Sequence, residues 1–271
     1  MDVFAKKGVY FILNSQFQIL NSVHMSFSIS LIIPAFNEEK RIRPVLESLR
    51  SWSEKAPSTL RIEEIIIVDD GSTDGTVSCA KSFSSLPIRL HTLDGNRGKG
   101  RAIKEGIMLV TGTWVLLFDA DGATSIDELV KLTDRQTASQ APIVIGSRIL
   151  DSSAPVSMQW YRRMIGWMYH VLTSPLIPGI RDASCGFKLI RTDIAILLFQ
   201  DVQTNGYGYD VEFLALAHQQ KIPIEEVQVH WIAIPGSKVH VLGDGLRMFL
   251  SACALYLRFL FWGKKRPEIP R

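Results

Sequence analysis

Asp119 and Asp121 stand one residue apart at the end of the stretch W-V-L-L-F-D-A-D, residues 114–121. Five apolar residues run straight into two carboxylates. A short continuous apolar run fits a buried strand of a parallel sheet, although periodicity leaves a buried helix segment open. On a strand, side chains two apart share a face, so both carboxylates are expected to point the same way at its C-terminal end. Ligands of open α/β sheets sit at that end. Convergent carboxylates are hard oxygen ligands that suit Mg²⁺ or Mn²⁺, ions usually shared with substrate phosphates. The competing reading is a polar strand end followed by a turn, since Asp121–Gly122 is a favourable turn pair. D-x-D alone is common, and the rest of the chain has to decide.

Three other polar stretches follow apolar runs: residues 34–39, 69–75 and 94–100. In a doubly wound sheet such strand ends line one crevice, and their convergence is more specific than any one motif. Asp70 suits a hydrogen bond to a base or ribose, or else a turn or cap. Gly98-Lys99-Gly100 offers backbone N–H groups and one ammonium to a phosphate, or else a plain glycine turn. It is not a P-loop, because the G-x-x-x-x-G-K-[ST] spacing is absent. Asp210 and Glu212, in Y-D-V-E, are candidates for a general base. Their alternative is an acidic pair at a helix N-terminus, stabilised by the macrodipole. Asp182 and Lys188 are expected to pair across a turn.

The elements that would position these groups read as follows. Strands are expected at residues 30–34, 62–68, 88–93, 114–118, 142–147 and 224–232. Helices are expected at 38–52, from Thr73 or Asp74 to Phe83, at 101–110, 125–133, 156–176, 206–219 and 245–262. Ser125 and Glu128 have capping-box spacing. Strands alternating with helices indicate βαβ units and a mostly parallel, Rossmann-like α/β sheet flanked by helices. The chain has 271 residues, enough for one large α/β domain with appendages. Its 46% apolar and 21% charged residues are ordinary for a globular protein. A formal charge of +3 does not suggest a nucleic-acid binder. Cys79, Cys185 and Cys253 are scattered, which argues against a disulfide framework or zinc site and fits a reducing compartment.

The combined strings S-L-I-I-P-A-F-N-E-E, I-V-D-D-G-S-T-D-G-T, N-R-G-K-G-R-A-I-K-E-G and D-A-D-G-A-T resemble inverting glycosyltransferases of family 2, with the GT-A fold. G-S-R at 146–148, D-A-S-C-G-F-K, Y-D-V-E-F-L and W-I-A-I-P-G-S-K are similar to dolichyl-phosphate β-glucosyltransferases and their prokaryotic polyprenyl-phosphate relatives. The likeness spans residues 28–258. It implies that Pro34, Phe36, Glu38 and Asp70 border the base and ribose of a nucleotide sugar. Lys99, Arg148 and Lys238 would face phosphates. Asp119, Ala120 and Asp121 would line the diphosphate, with Asp119 and Asp121 holding a divalent metal. Arg162 or Arg163 would approach the phosphate of the lipid acceptor. Dolichyl-phosphate mannosyltransferases carry Gln two positions after the second Asp; Ala123 stands here, which favours the glucosyl branch.

The expected activity is metal-dependent, inverting transfer of glucose from UDP-glucose to a polyprenyl, dolichyl-type phosphate. The alternatives are mannose from GDP-mannose to the same lipid class, and a non-catalytic nucleotide-sugar or membrane-binding module. No stretch has 18 consecutive uncharged apolar residues, so no spanning helix is expected. Residues 160–176 carry Trp160, Tyr161, Trp167 and Tyr169 beside Arg162 and Arg163, and residues 246–262 are rich in aromatics before Lys264, Lys265 and Arg266. Rings plus basic groups suit helices lying in a membrane interface; packing inside the protein or between copies in an oligomer is the alternative. The expected organisation is a leader or weak anchor at 1–27, a GT-A domain at 28–240, and an amphipathic helix with a basic tail at 241–271. Its expected place is the cytoplasmic face of a membrane, peripheral or monotopic.

Overall fold

The structure, a computed structural model, describes residues 26–150, 169–232, 234 and 241–262, with the side chains of 249–259 in the last helix. The described residues hold seven strands: β1 Phe27–Ala35, β2 Leu60–Asp69, β3 Ile88–Thr92, β4 Trp114–Leu117, β5 Ile143–Ser147, β6 Lys188–Arg191 and β7 Ile224–Gln228. They form one sheet in the order β3-β2-β1-β4-β6-β5-β7. Strands β3, β2, β1 and β4 are mutually parallel. Strand β6 runs antiparallel to both β4 and β5, and β7 is parallel to β5. Six of the seven strands therefore end on one edge, as a mostly parallel α/β architecture requires.

The pleat divides the core in two. Leu31, Leu116 and Leu189 pack on one face, against helices α1 (Glu39–Lys55), α2 (Thr76–Lys81) and α4 (Leu129–Ser139). Ile32, Val115 and Ile190 pack on the other, against α3 (Lys99–Ile107), α5 (Thr192–Asp201), α6 (Tyr209–Gln219) and α7 (Val241–Trp262). Strands with both faces covered read as continuous apolar runs, which is why β1, β2 and β4 were legible.

Several expectations are revised. The helix at Thr76–Lys81 is shorter than expected; Gly75 is its N-cap and Asp74 instead accepts from the Thr76 N–H at 3.0 Å. The capping box does not form: Ser125 Oγ accepts from the Asp127 N–H, while Glu128 accepts from the His230 N–H and pairs with Lys131. Strand β6 and helix α5 were not expected at all. Most of the expected helix at 156–176 lies outside the described residues, although 169–173 are helical.

Candidate active site

The first two strand ends are stitched together. Asn37, left-handed at φ 55°, accepts from the Thr73 N–H at 2.7 Å, and its own N–H donates to Ser72 Oγ at 2.8 Å. The Glu38 N–H donates to Thr76 Oγ1 at 2.7 Å, and the Glu38 carboxylate pairs with Arg41. Pro34, Phe36 and Glu38 are thus half-buried along one rim. Asp70 is buried, and its two oxygens accept the N–H groups of Arg97 and Gly98 at 2.7 and 2.8 Å. In this arrangement it shapes the 94–100 loop, the turn role held as the alternative to a nucleoside contact. The same bond takes up the Gly98 N–H, as the glycine-turn alternative has it.

Strand β4 stops at Leu117, earlier than expected. The pleat carries Asp119 to the α3 face, where Lys99 Nζ lies 2.6 Å from Oδ1. A turn through Gly122 then brings Asp121 towards Arg41 of α1, on the opposite face, at 3.9 Å. The strand ends before both carboxylates, which meet different cations, and Arg41 lies within electrostatic reach of Asp119 as well. Burial opposes charge on Lys99, yet Asp119 and Asp210 hold its ammonium above the usual lysine range. Burial likewise opposes the Asp119 carboxylate, and Lys99 outweighs it, keeping that group below its usual range.

Both side chains are reachable, at 35% and 32% exposure. Asp121 Oδ1 accepts the Ala123 N–H at 3.0 Å. Among the described residues no three His, Cys, Asp or Glu side chains gather as a metal cage. Two carboxylates at an open strand edge nonetheless fit Mg²⁺ or Mn²⁺, which usually take one or two protein carboxylates and complete their shell with substrate phosphate and water.

Arg148, at the end of β5, donates from Nε and Nη2 to Asp182 at 2.8 and 2.7 Å, and its guanidinium stacks on Trp231 at 5.6 Å. The Trp231 segment is hitched to the D-A-D loop by a bridge to Thr124 and by the Ile232 N–H donating to the Ala123 carbonyl at 2.9 Å. Asp182 thus pairs with Arg148, not with Lys188 as expected. Lys188 is fully buried on β6, where it reaches Asp210 and the Cys185 carbonyl. Burial raises the Asp210 pKa above the usual carboxylate range, against the pull of Lys188 and Lys99. Glu212, also fully buried, pairs with Arg258 of α7.

Asp210 and Glu212 do open helix α6, and both are committed to internal cations rather than presented to a substrate. Ala120 is buried beside the site. Arg162, Arg163 and Lys238 lie outside the described residues. Sequence reading gave Lys188 the wrong partner and missed Arg41 and Gly186. A lone lysine inside the apolar string C-G-F-K-L-I was the available signal for the first, since an ammonium there needs a buried counter-ion.

Helix α7 packs through Ala252 and Leu255, and Tyr256 donates to the Leu172 carbonyl at 2.5 Å. The alternative of packing within the protein therefore holds for one of its faces. Phe249, Leu250 and Leu257 remain exposed. Arg258 is turned inward, towards Glu212. Among the described residues no helix is long and apolar enough to cross a membrane.

Residues 30–199 match the family model "Glycosyl transferase family 2". The chain is 35% identical over 244 residues to a dolichyl-phosphate beta-glucosyltransferase of Dictyostelium discoideum, covering 86% of this chain and 75% of that protein. It is 36% identical over 245 residues to the enzyme of the same name from Homo sapiens, covering 86% and 76%. Its fold is similar to that of glucosyl-3-phosphoglycerate synthase from Mycobacterium tuberculosis, solved in complex with Mn²⁺, uridine diphosphate and glucosyl-3-phosphoglycerate. That match has a TM-score of 0.62 and 19% identity over 84% of this chain and 80% of the other. The crossover sheet, the polar strand ends and these likenesses agree: the chain belongs to glycosyltransferase family 2, has the GT-A fold and is a glycosyltransferase.

Proposed function

We propose that this enzyme transfers glucose, with inversion, from UDP-glucose to a polyprenyl, dolichyl-type phosphate in a metal-dependent reaction. The observation that carries the acceptor class is the commitment of Asp210 to Lys188 and of Glu212 to Arg258. A hydroxyl acceptor needs a base, and these two carboxylates are neutralised within the fold. A phosphate is already an anion near neutral pH and needs none. The names of the 32–36% identical relatives support glucose and dolichyl phosphate. The uridine diphosphate and Mn²⁺ of the structural neighbour support the donor and metal.

In this reading an acceptor phosphate oxygen attacks the anomeric carbon as the bond to the donor β-phosphate breaks and UDP leaves with the electron pair. The transition state is oxocarbenium-like, and negative charge builds on the leaving diphosphate. Asp119 and Asp121 would hold a divalent ion, whose contribution when bound is charge stabilisation at that leaving group. Lys99 would turn from Asp119 to the same diphosphate, with Arg148 and Lys238 adding positive field. Pro34, Phe36 and Glu38 would form the rim around the nucleoside. Arg162 and Arg163 would meet the acceptor phosphate, since guanidinium forks match its oxygens. Phe249, Leu250 and Leu257 would enter the membrane interface on the cytoplasmic face and hold the crevice at the lipid surface.

The test is product analysis with dolichyl phosphate, pairing UDP-glucose and GDP-mannose with Mn²⁺ or a chelator. Glucosyl-lipid formed only from UDP-glucose, and only with the metal, is expected. Transfer from GDP-mannose alone, or undiminished transfer in chelator, overturns the donor or the metal assignment respectively.

A further inference from the structure

One loop beside the crevice is gripped from two sides. Residues 202–208 connect α5 to α6. The Glu212 carboxylate accepts two of its backbone N–H groups, Gln203 at 2.9 Å and Thr204 at 2.7 Å. Arg258 of α7 donates to that carboxylate and to the Asp201 carbonyl, the latter at 2.9 Å. One buried ion pair thus ties α5, α6, α7 and the connecting loop together.

The far side of this loop bears on the start of α3. The Arg101 N–H donates to the Asn205 carbonyl at 3.2 Å, and Lys104 Nζ donates to the Val202 carbonyl at 2.8 Å. A Cβ at Gly98 would stand 2.5 Å from the Asn205 carbonyl oxygen, and one at Gly100 would stand 2.4 Å from that of Thr204. Such contact leaves no slack: where 203–205 sit, Gly98-Lys99-Gly100 must follow. That turn carries Lys99 to Asp119 and is clasped by Asp70 through the Gly98 N–H.

We propose that Glu212 and Arg258 are positioning residues for the donor loop, setting the reach of Lys99 through residues 203–205. The proposal rests on reading 97–100 as the loop that meets the donor diphosphate. Removing Arg258 would leave a fully buried carboxylate without its cation. Protonation or water entry would then loosen its hold on Gln203 and Thr204.

The experiment is calorimetric titration of UDP with Mn²⁺ into the full chain, well below every melting temperature. It compares wild type with Arg258→Met, Arg258→Lys and Leu255→Ala. Leu255 is buried in the α7 contact and lies outside the ion pair, so its truncation controls for general loosening. Arg258→Met should weaken UDP binding about tenfold, as small misplacements of a binding group do. Arg258→Lys should restore most of it. Leu255→Ala should lower the melting temperature at least as much without moving UDP affinity. If Arg258→Met does not fold, the near-isosteric Glu212→Gln makes the same comparison. Affinity equal to wild type in these variants, or affinity that tracks melting temperature across the set, overturns the positioning role. A wild type that binds no UDP overturns the donor reading itself, and the proposal with it.

Discussion

Two acid-x-acid motifs occur in this chain, D-A-D at 119–121 and D-V-E at 210–212, and the fold gives them opposite tasks. The first follows a strand that ends early, so its carboxylates meet Lys99 and Arg41 at the open strand edge and stay about a third exposed. The second opens a helix inside the second core, where Asp210 and Glu212 are almost fully buried and answered by Lys188 and Arg258. Asp119 is held below the usual carboxylate range, because Lys99 outweighs burial. Asp210 is held above it, because burial outweighs Lys188 and Lys99. Spacing alone says nothing of function here; access to solvent and the location of the counter-charge say most of it.

The largest effect that separates the motifs should come from Asp121→Asn. It removes charge at an exposed loop without changing volume. Transfer should fall about a hundred- to thousandfold, roughly 3–4 kcal/mol of transition-state stabilisation, at an unchanged melting temperature. Near-wild-type turnover with saturating Mn²⁺ would place the chemistry elsewhere.

The second motif should respond in stability instead. Lys188→Met leaves the Asp210 carboxyl buried without its cation and should cost about 3 kcal/mol in urea unfolding. Adding Asp210→Leu should recover most of that loss, because a matched apolar pair needs no solvation. A double variant no more stable than the single one would show that the pair does more than neutralise itself.

The smallest effect sharpens the first motif. A Cβ at Gly186 would stand 2.1 Å from Asp119 Oδ2, so the carboxylate lies flat against bare backbone. Gly186→Ala should push Asp119 aside and weaken Mn²⁺-UDP binding about tenfold, near 1.4 kcal/mol, with little thermal cost. Unchanged affinity would mean that Asp119 turns freely or takes no part in binding.

The sequence by itself determined the sheet's parallel half and the edge where chemistry gathers. Runs such as S-L-I-I-P and I-I-I-V-D-D are apolar on both pleat faces and then abruptly polar, a local pattern that needs no partner to be read. Strand β6 escaped because its four residues begin with a lysine, and an ammonium in a core strand makes sense only once Asp210 of α6 is brought across from 22 positions away. Only the tertiary structure decided which cation answers which carboxylate: Arg148 for Asp182, Lys188 for Asp210, Arg258 for Glu212, Lys99 for Asp119. The physical reason is that apolar burial follows local periodicity, whereas charge pairing depends on distances through space between segments far apart in the chain.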